Sequence, residues 1–174
     1  MIWQGGLASH GGFTGVLVAL YLYLRRYRDM TFLELSDRLV IASLPAAALI
    51  RVGNFFNSEI LGMPTNLPWA IIFIRVDATP RHPAMLYEAI VYALLFCILY
   101  AAYWKGNIIN TPGCATGAIF VTSSIARFFI EFLKEEQVSF EQAMPLNMGQ
   151  LLSIPFLGLG LVLLWRRCFR RLQI

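Results

Sequence analysis

Two arginines, with carboxylates beside them, lie inside otherwise apolar runs. Arg51, followed by Asn54, Asn57 and Glu59, lies near the end of one run, and Arg127 and Glu131 lie near the end of another, spaced i, i+4. His10 opens a glycine-rich run, His82, Tyr87 and Glu88 open a further one, and Gln150 opens the last. An ionisable group in a membrane helix costs at least about 2.5 to 3.5 kcal/mol on insertion scales, so such side chains are expected to share a polar cavity. A guanidinium offers a planar fork of donors matched to phosphate oxygens. Two of them at one depth suit an anionic lipid headgroup, and they stabilise a departing phosphate if a bond to it breaks. A histidine can take the proton of an attacking nucleophile. Each residue also has a plainer reading. Arg127 and Glu131 can be a structural ion pair, Arg51 can snorkel to the interface, His10 can be interfacial, His82 before Pro83 can cap a helix, and Tyr87 can belong to an aromatic belt.

The elements that must position these groups are membrane helices. The chain has 174 residues, 58% hydrophobic and 14% charged, with a mean hydropathy of +0.64. A soluble domain carries roughly 25% charge, and neither collagen, coiled coil nor disordered tails have this composition. Cys97, Cys114 and Cys168 stand far apart, without metal-ligand spacing. The formal charge of +4 does not mark a nucleic-acid partner, because the arginines cluster at the ends of apolar runs. Hydropathy and charge predict an all-α, polytopic integral membrane bundle with about five transmembrane helices: Gly11 to Leu24, Leu39 to Phe56, Ala84 to Trp104, Thr116 to Leu133 and Gly149 to Trp165. Pro45 and Arg51 make the second a kinked or partly protein-buried helix, and Pro64 and Pro68 make the 60–74 stretch a loop or interfacial segment. No internal repeat is seen, and the whole of 1–174 is expected to be one membrane-embedded domain.

Nine of the fourteen basic residues fall on one face of this topology, which the positive-inside rule makes cytoplasmic. The N-terminus is then periplasmic and the C-terminus cytoplasmic. The polar residues of all five helices gather in the outer half of the bilayer, as a cavity toward the outer leaflet, and the inner halves are expected to be almost purely apolar.

At this point the motifs become specific. Arg51 to Gly62 resembles the signature R-x-G-N-F-x-N-x-E-x-x-G of the bacterial prolipoprotein diacylglyceryl transferase family. His10 to Gly15 is similar to H-G-G-x-x-G, Arg81 to Glu88 to R-H-P-x-Q-L-Y-E, Arg127 to Phe132 to R-x-x-x-E-F, and Met148 to Pro155 to M-G-Q-x-x-S-x-P. These five motifs stand in the family's order. The resemblance implies transfer of the diacylglyceryl group of phosphatidylglycerol to the cysteine thiol of a prolipoprotein lipobox peptide, forming a thioether and releasing glycerol phosphate in the bacterial inner membrane. No metal or organic cofactor is implied. Arg51 and Arg127 would hold the phosphate and stabilise the leaving group, and His10 would assist thiol deprotonation. Asn54, Glu59 and Gly62 would shape the lipid site, Glu131 would orient an arginine, and Tyr87, Glu88 and Gln150 would support the cavity. The family's additional N-terminal helices have no counterpart here, Ile50 stands where glycine is common, and Met85 stands where glutamine is common. A catalytically inactive phospholipid-binding relative, needing a partner for the missing helices, is the alternative expectation. A small transporter ranks behind both, since the inner helix halves offer no polar track.

Overall fold

The computed structural model describes residues 9–105, 111–135 and 146–171, apart from the side chains of Ser9, His10, Phe13 and residues 166–171. Five helices carry the chain: α1 (Ser9–Arg26), α2 (Phe32–Asn57), α3 (Ala84–Trp104), α4 (Cys114–Glu131) and α5 (Met148–Arg171). Among the described residues, four helical segments are long and apolar enough to cross a membrane: Phe32–Asn57, Ala84–Trp104, Cys114–Glu131 and Met148–Trp165. The all-α polytopic expectation holds. In α1 a histidine at one end and Arg25 and Arg26 at the other dilute the apolar run. Its only buried described side chain is Leu20.

The α3 bounds agree with expectation, whereas α2 begins seven residues before the predicted Leu39. Two interactions extend it. Thr31 caps the helix through a reciprocal box, its hydroxyl accepting from Glu34 N and its own N–H donating to the Glu34 carboxylate at 2.6 Å. Asp37, a charge that reads as a boundary, is buried and turned across to the start of α4. It accepts from Gly113 N at 2.6 Å, Thr116 N at 2.8 Å and Thr116 Oγ1 at 2.6 Å. Gly113, in the left-handed region at φ 91°, gives α4 no cap side chain of its own, so a residue 76 positions earlier supplies it. This cluster of buried Asp37 and Thr116 with half-buried Ser36 corrects the expectation that this end of the bundle is almost purely apolar. At 26 residues α2 runs about 39 Å, longer than a hydrocarbon core of about 30 Å. Pro45 is accommodated inside the unbroken helix, as membrane helices allow.

Ile41 and Leu44 of α2, Leu95 and Leu99 of α3, and Ala115 and Ile119 of α4 form one buried core. Helices α4 and α5 meet through glycines: a Cβ on Gly160 would stand 2.9 Å from the Gly117 carbonyl oxygen, so the two backbones nearly touch. At the opposite end from Asp37, the chain leaves α2 through Ser58 in the left-handed conformation and forms a strap over the bundle. Within it β1 (Ile71–Ile72) pairs antiparallel with β2 (Pro80–Arg81). The Leu61 to Thr65 stretch threads between two neighbours: Gly62 N donates to His82 O and Thr65 N to Pro80 O on one side, and Met63 N donates to Leu133 O on the other. Gly62 lies where all three segments converge, and a Cβ there would come within 2.6 Å of the His82 Cβ and 2.9 Å of the Leu133 carbonyl oxygen.

Replacing Asp37 by Ala leaves the first N–H groups of α4 unpartnered in an apolar setting. The expected cost is about 1 to 3 kcal/mol, read as a lower thermal unfolding midpoint of the detergent-solubilised protein.

Candidate functional site

Near the strap end, side chains from α2, α3 and the turn after α4 join into one chain of charges. Arg51 lies six residues before the end of α2, about 9 Å down the helix. Its Nε meets Glu88 Oε2 at 2.5 Å, off the direction of an aligned hydrogen bond, and its Nη1 donates to Asn54 Oδ1 at 3.3 Å. Asn54 Nδ2 in turn donates to Glu59 Oε2 at 2.6 Å. On the far side of Glu88, Lys134 Nζ donates to Glu88 Oε1 at 2.7 Å and to Glu131 Oε2 at 3.1 Å. Glu88 and Lys134 are nearly sealed off, with 2% and 4% of their side-chain surface exposed. Two cations and two carboxylates alternate through the buried stretch, so their charges cancel there.

Arg127, one turn before the end of α4, stands outside this chain. Among the described residues it has no hydrogen-bond or ion-pair partner, although Glu131 follows it at the favourable spacing. It is partly exposed and lines a cavity of about 320 Å³ between α3, α4 and α5. The other walls are Ile119, Phe120, Leu152 and Phe156, with the hydroxyls of Ser123, Ser124, Ser153 and Tyr92. Tyr92, one turn beyond Glu88, lies within electrostatic range of Glu88, Arg51 and Arg127, so the two arginines flank one region. The arrangement is a cation at the edge of an apolar cavity, with a second guanidinium, paired to a carboxylate, acting on the same Tyr92.

The strap is bolted down by Arg81, which donates to Asp77 Oδ2 at 2.6 Å, to Glu135 Oε2 at 2.9 Å and to Gly62 O at 3.4 Å. The Arg81 hydrogen bond, with that from Thr79 N, holds the Asp77 carboxyl below its ordinary range. Because this folded value lies below the unfolded one, the pair's contribution is present at neutral pH and fades as pH falls through the lowered value. Over α3, Trp69 Nε1 donates to the Tyr87 hydroxyl at 2.9 Å, and that hydroxyl meets His82 Nδ1 at 3.2 Å. Nδ1 of His82 is therefore engaged in either tautomer.

Comparison with known proteins decides what this site belongs to. The prolipoprotein diacylglyceryl transferase family profile matches residues 1–166. The chain belongs to this family. It is 46% identical over 165 residues to the phosphatidylglycerol–prolipoprotein diacylglyceryl transferase of Chloroherpeton thalassium, covering 95% of this chain and 62% of that protein. The Bacteroides fragilis protein of the same name is 46% identical over 156 residues, covering 90% and 56%. That of Protochlamydia amoebophila is 42% identical over 174 residues, covering 95% and 46%. The chain thus spans roughly half to three fifths of these curated relatives. No solved structure matches it. Family and helices together make it a multi-pass protein of the bacterial inner membrane.

Within the family motifs, the structure joins Arg51, Asn54, Glu59, Glu88 and Glu131 through one network, and ties Tyr87 instead to Trp69 and His82. Gln150, 2% exposed, ties α5 to α4: its Oε1 accepts from Asn147 N at 3.1 Å and its Nε2 donates to Phe128 O at 3.4 Å. His10 lies in the first turn of α1, and its side chain is outside the described residues. Two readings are corrected. Arg127 and Glu131 do not pair, and Glu131 orients no arginine directly, because Lys134 takes its carboxylate. A Cβ on Gly149 would stand 2.5 to 2.6 Å from the Glu131 carboxyl atoms, so the α5 backbone also holds that group in place. Met85, where the family motif carries glutamine, is wholly buried, a position where a thioether packs without the partners an amide requires. Ile50, where glycine is common, is exposed on the bundle surface. Lys134 is the residue that sequence reasoning missed. Its signal was its place three residues after Glu131, on the same turn.

Glu88→Gln leaves Arg51 and Lys134 facing each other without their shared anion. Breaking a buried pair in this way costs about 3 to 5 kcal/mol, expected as a lower unfolding midpoint with lost cooperativity in detergent.

Proposed function

We propose that the chain carries the phosphatidylglycerol-binding and transferase site of a prolipoprotein diacylglyceryl transferase, with residues 1–174 as one membrane-embedded domain. The observation that carries this reading is the Arg127 guanidinium, without a partner among the described residues, at the edge of an apolar cavity whose Tyr92 wall also feels the charge of Arg51. The phosphodiester would lie against both guanidiniums while an acyl chain follows the apolar walls. The thiolate sulfur of a lipobox cysteine attacks the glyceryl carbon bonded to the phosphate ester oxygen. The C–S bond forms as that C–O bond breaks, and the electron pair leaves with glycerol phosphate, whose growing charge the arginines stabilise. The thiol proton passes to a base, for which His10 is our candidate. The strap end then faces the periplasm, with the N-terminus periplasmic and the C-terminus cytoplasmic, as the basic residues at the opposite helix ends suggest.

The test is incubation of the purified chain with phosphatidylglycerol and a lipobox-cysteine peptide, followed by mass spectrometry for a diacylglyceryl adduct on sulfur. Arg51→Ala and Arg127→Ala are each expected to lower adduct formation by about a hundredfold or more. Cys97→Ser, at an exposed cysteine outside the charge network, leaves it unchanged because the nucleophile belongs to the peptide. Normal turnover in either arginine variant, or no adduct with the unaltered chain, overturns this assignment.

A further inference from the structure

Among the described residues Arg127 has no partner, and that state requires a physical cause. A carboxylate four residues along the same helix is the natural partner of an arginine, and in a low-dielectric setting the attraction is stronger than at a water-exposed surface. Glu131 satisfies the spacing and is only 14% exposed. Its oxygen instead meets Lys134 Nζ at 3.1 Å, and the close backbone of Gly149 restricts where the carboxyl group can swing. Lys134 is itself fixed from the other side by Glu88 at 2.7 Å. It is almost wholly buried and in a backbone bridge with Gly62 of the strap, so it has little freedom to leave. Within the buried part of the network Arg51 and Lys134 balance Glu88 and Glu131, Glu59 joins only through Asn54 at the exposed end, and Arg127 stands outside these pairs.

We propose that Lys134 is a positioning residue for anion recognition: by holding Glu131, it keeps the Arg127 guanidinium free for an anionic phospholipid headgroup. The identity of the anion rests on the reading under Proposed function, whereas the control of Arg127 by Lys134 does not. Removing the ammonium would release Glu131 to its i, i+4 neighbour, and the internal carboxylate would then compete with phosphate for the same donors. A second effect follows through Glu88. Without Lys134, that carboxylate depends on Arg51 alone, so both arginines become more tightly held by protein anions.

Two readouts test this on the full chain in detergent. The first is the phenylglyoxal modification rate at Arg127, followed by peptide mass spectrometry, since a guanidinium paired with a carboxylate reacts more slowly than an unpaired one. The second is phosphatidylglycerol binding, compared with phosphatidylcholine. Lys134→Met is expected to slow modification of Arg127 and to weaken phosphatidylglycerol binding, each by roughly tenfold to a hundredfold. Lys134→Met/Glu131→Gln recovers both, and Lys134→Arg retains both. A purely structural role would loosen the site and speed modification. Should the single variant not purify as a folded chain, Lys134→Met/Glu88→Gln removes one cation and one anion together. It also releases Glu131 and is expected to slow Arg127, with Glu131→Gln added to it restoring the rate. An unchanged or faster rate on loss of Lys134, or no recovery when Glu131 is neutralised, overturns the proposal. Rates that follow the expected order while no variant, nor the unaltered chain, binds phosphatidylglycerol support the role of Lys134 and overturn the headgroup reading instead.

Discussion

The structure depends on a carboxylate buried at the start of a membrane helix. Glu88, 2% exposed, is a charge that neither lipid nor packed protein tolerates alone. It is stable because Arg51 reaches it from α2 and Lys134 from the turn after α4. Three segments far apart in sequence are thus held together at one point by charge, at the depth where an apolar core would specify them less sharply. The arginine that meets Glu88 is in turn oriented by Asn54, itself held by Glu59 beyond the helix end. The signature segment from Arg51 to Gly62 is therefore a structural unit: a helix end, a left-handed turn at Ser58 and a glycine at the crowded centre of the strap.

The strap serves this arrangement from outside. Lys134 reaches Glu88 because its backbone is bridged to Gly62, and Gly62 can sit there because it has no side chain to meet His82 and Leu133. Arg81 then locks the strap by joining Asp77, Glu135 and the Gly62 carbonyl. At the other end of the bundle, Asp37 caps α4 from α2. Close glycine contacts bring α5 against α4. The walls of the Arg127 cavity are thereby fixed by contacts outside the cavity itself.

Much of this was legible in the sequence where local rules suffice. The bounds of α3 follow from an uninterrupted apolar run, and the gathering of Arg51, Glu88 and Glu131 follows from the cost of leaving charges in lipid. The rest depended on contacts that no local pattern contains. Asp37 and Arg38 read as a boundary because the partners of Asp37, Gly113 and Thr116, lie 76 and 79 residues away. The Thr31 and Glu34 capping box was present in the sequence and marked the true start of α2. The expected pairing of Arg127 with Glu131 obeyed a sound helix rule. It failed because the helix ends at Glu131, and the turn beyond it brings Lys134 to the same carboxylate.

That failure of the helix rule bears on what the site can bind. A site in which every cation is neutralised by a fixed carboxylate attracts no anion, because the ligand must first displace an internal partner held at high effective concentration. A site of bare cations would repel itself and would be costly to bury. The charge network avoids both difficulties by coupling Arg51 to a carboxylate shared with Lys134 and leaving Arg127 at a partly exposed, cavity-lining position. Its excess positive charge lies where solvent or a ligand can reach it, Arg51 keeps 17% of its side chain exposed, and only Glu88 and Lys134 are sealed from both. An anionic headgroup entering beside Arg127 therefore supplies the missing counter-charge without breaking an existing pair, so its attraction is not spent on rearranging the protein.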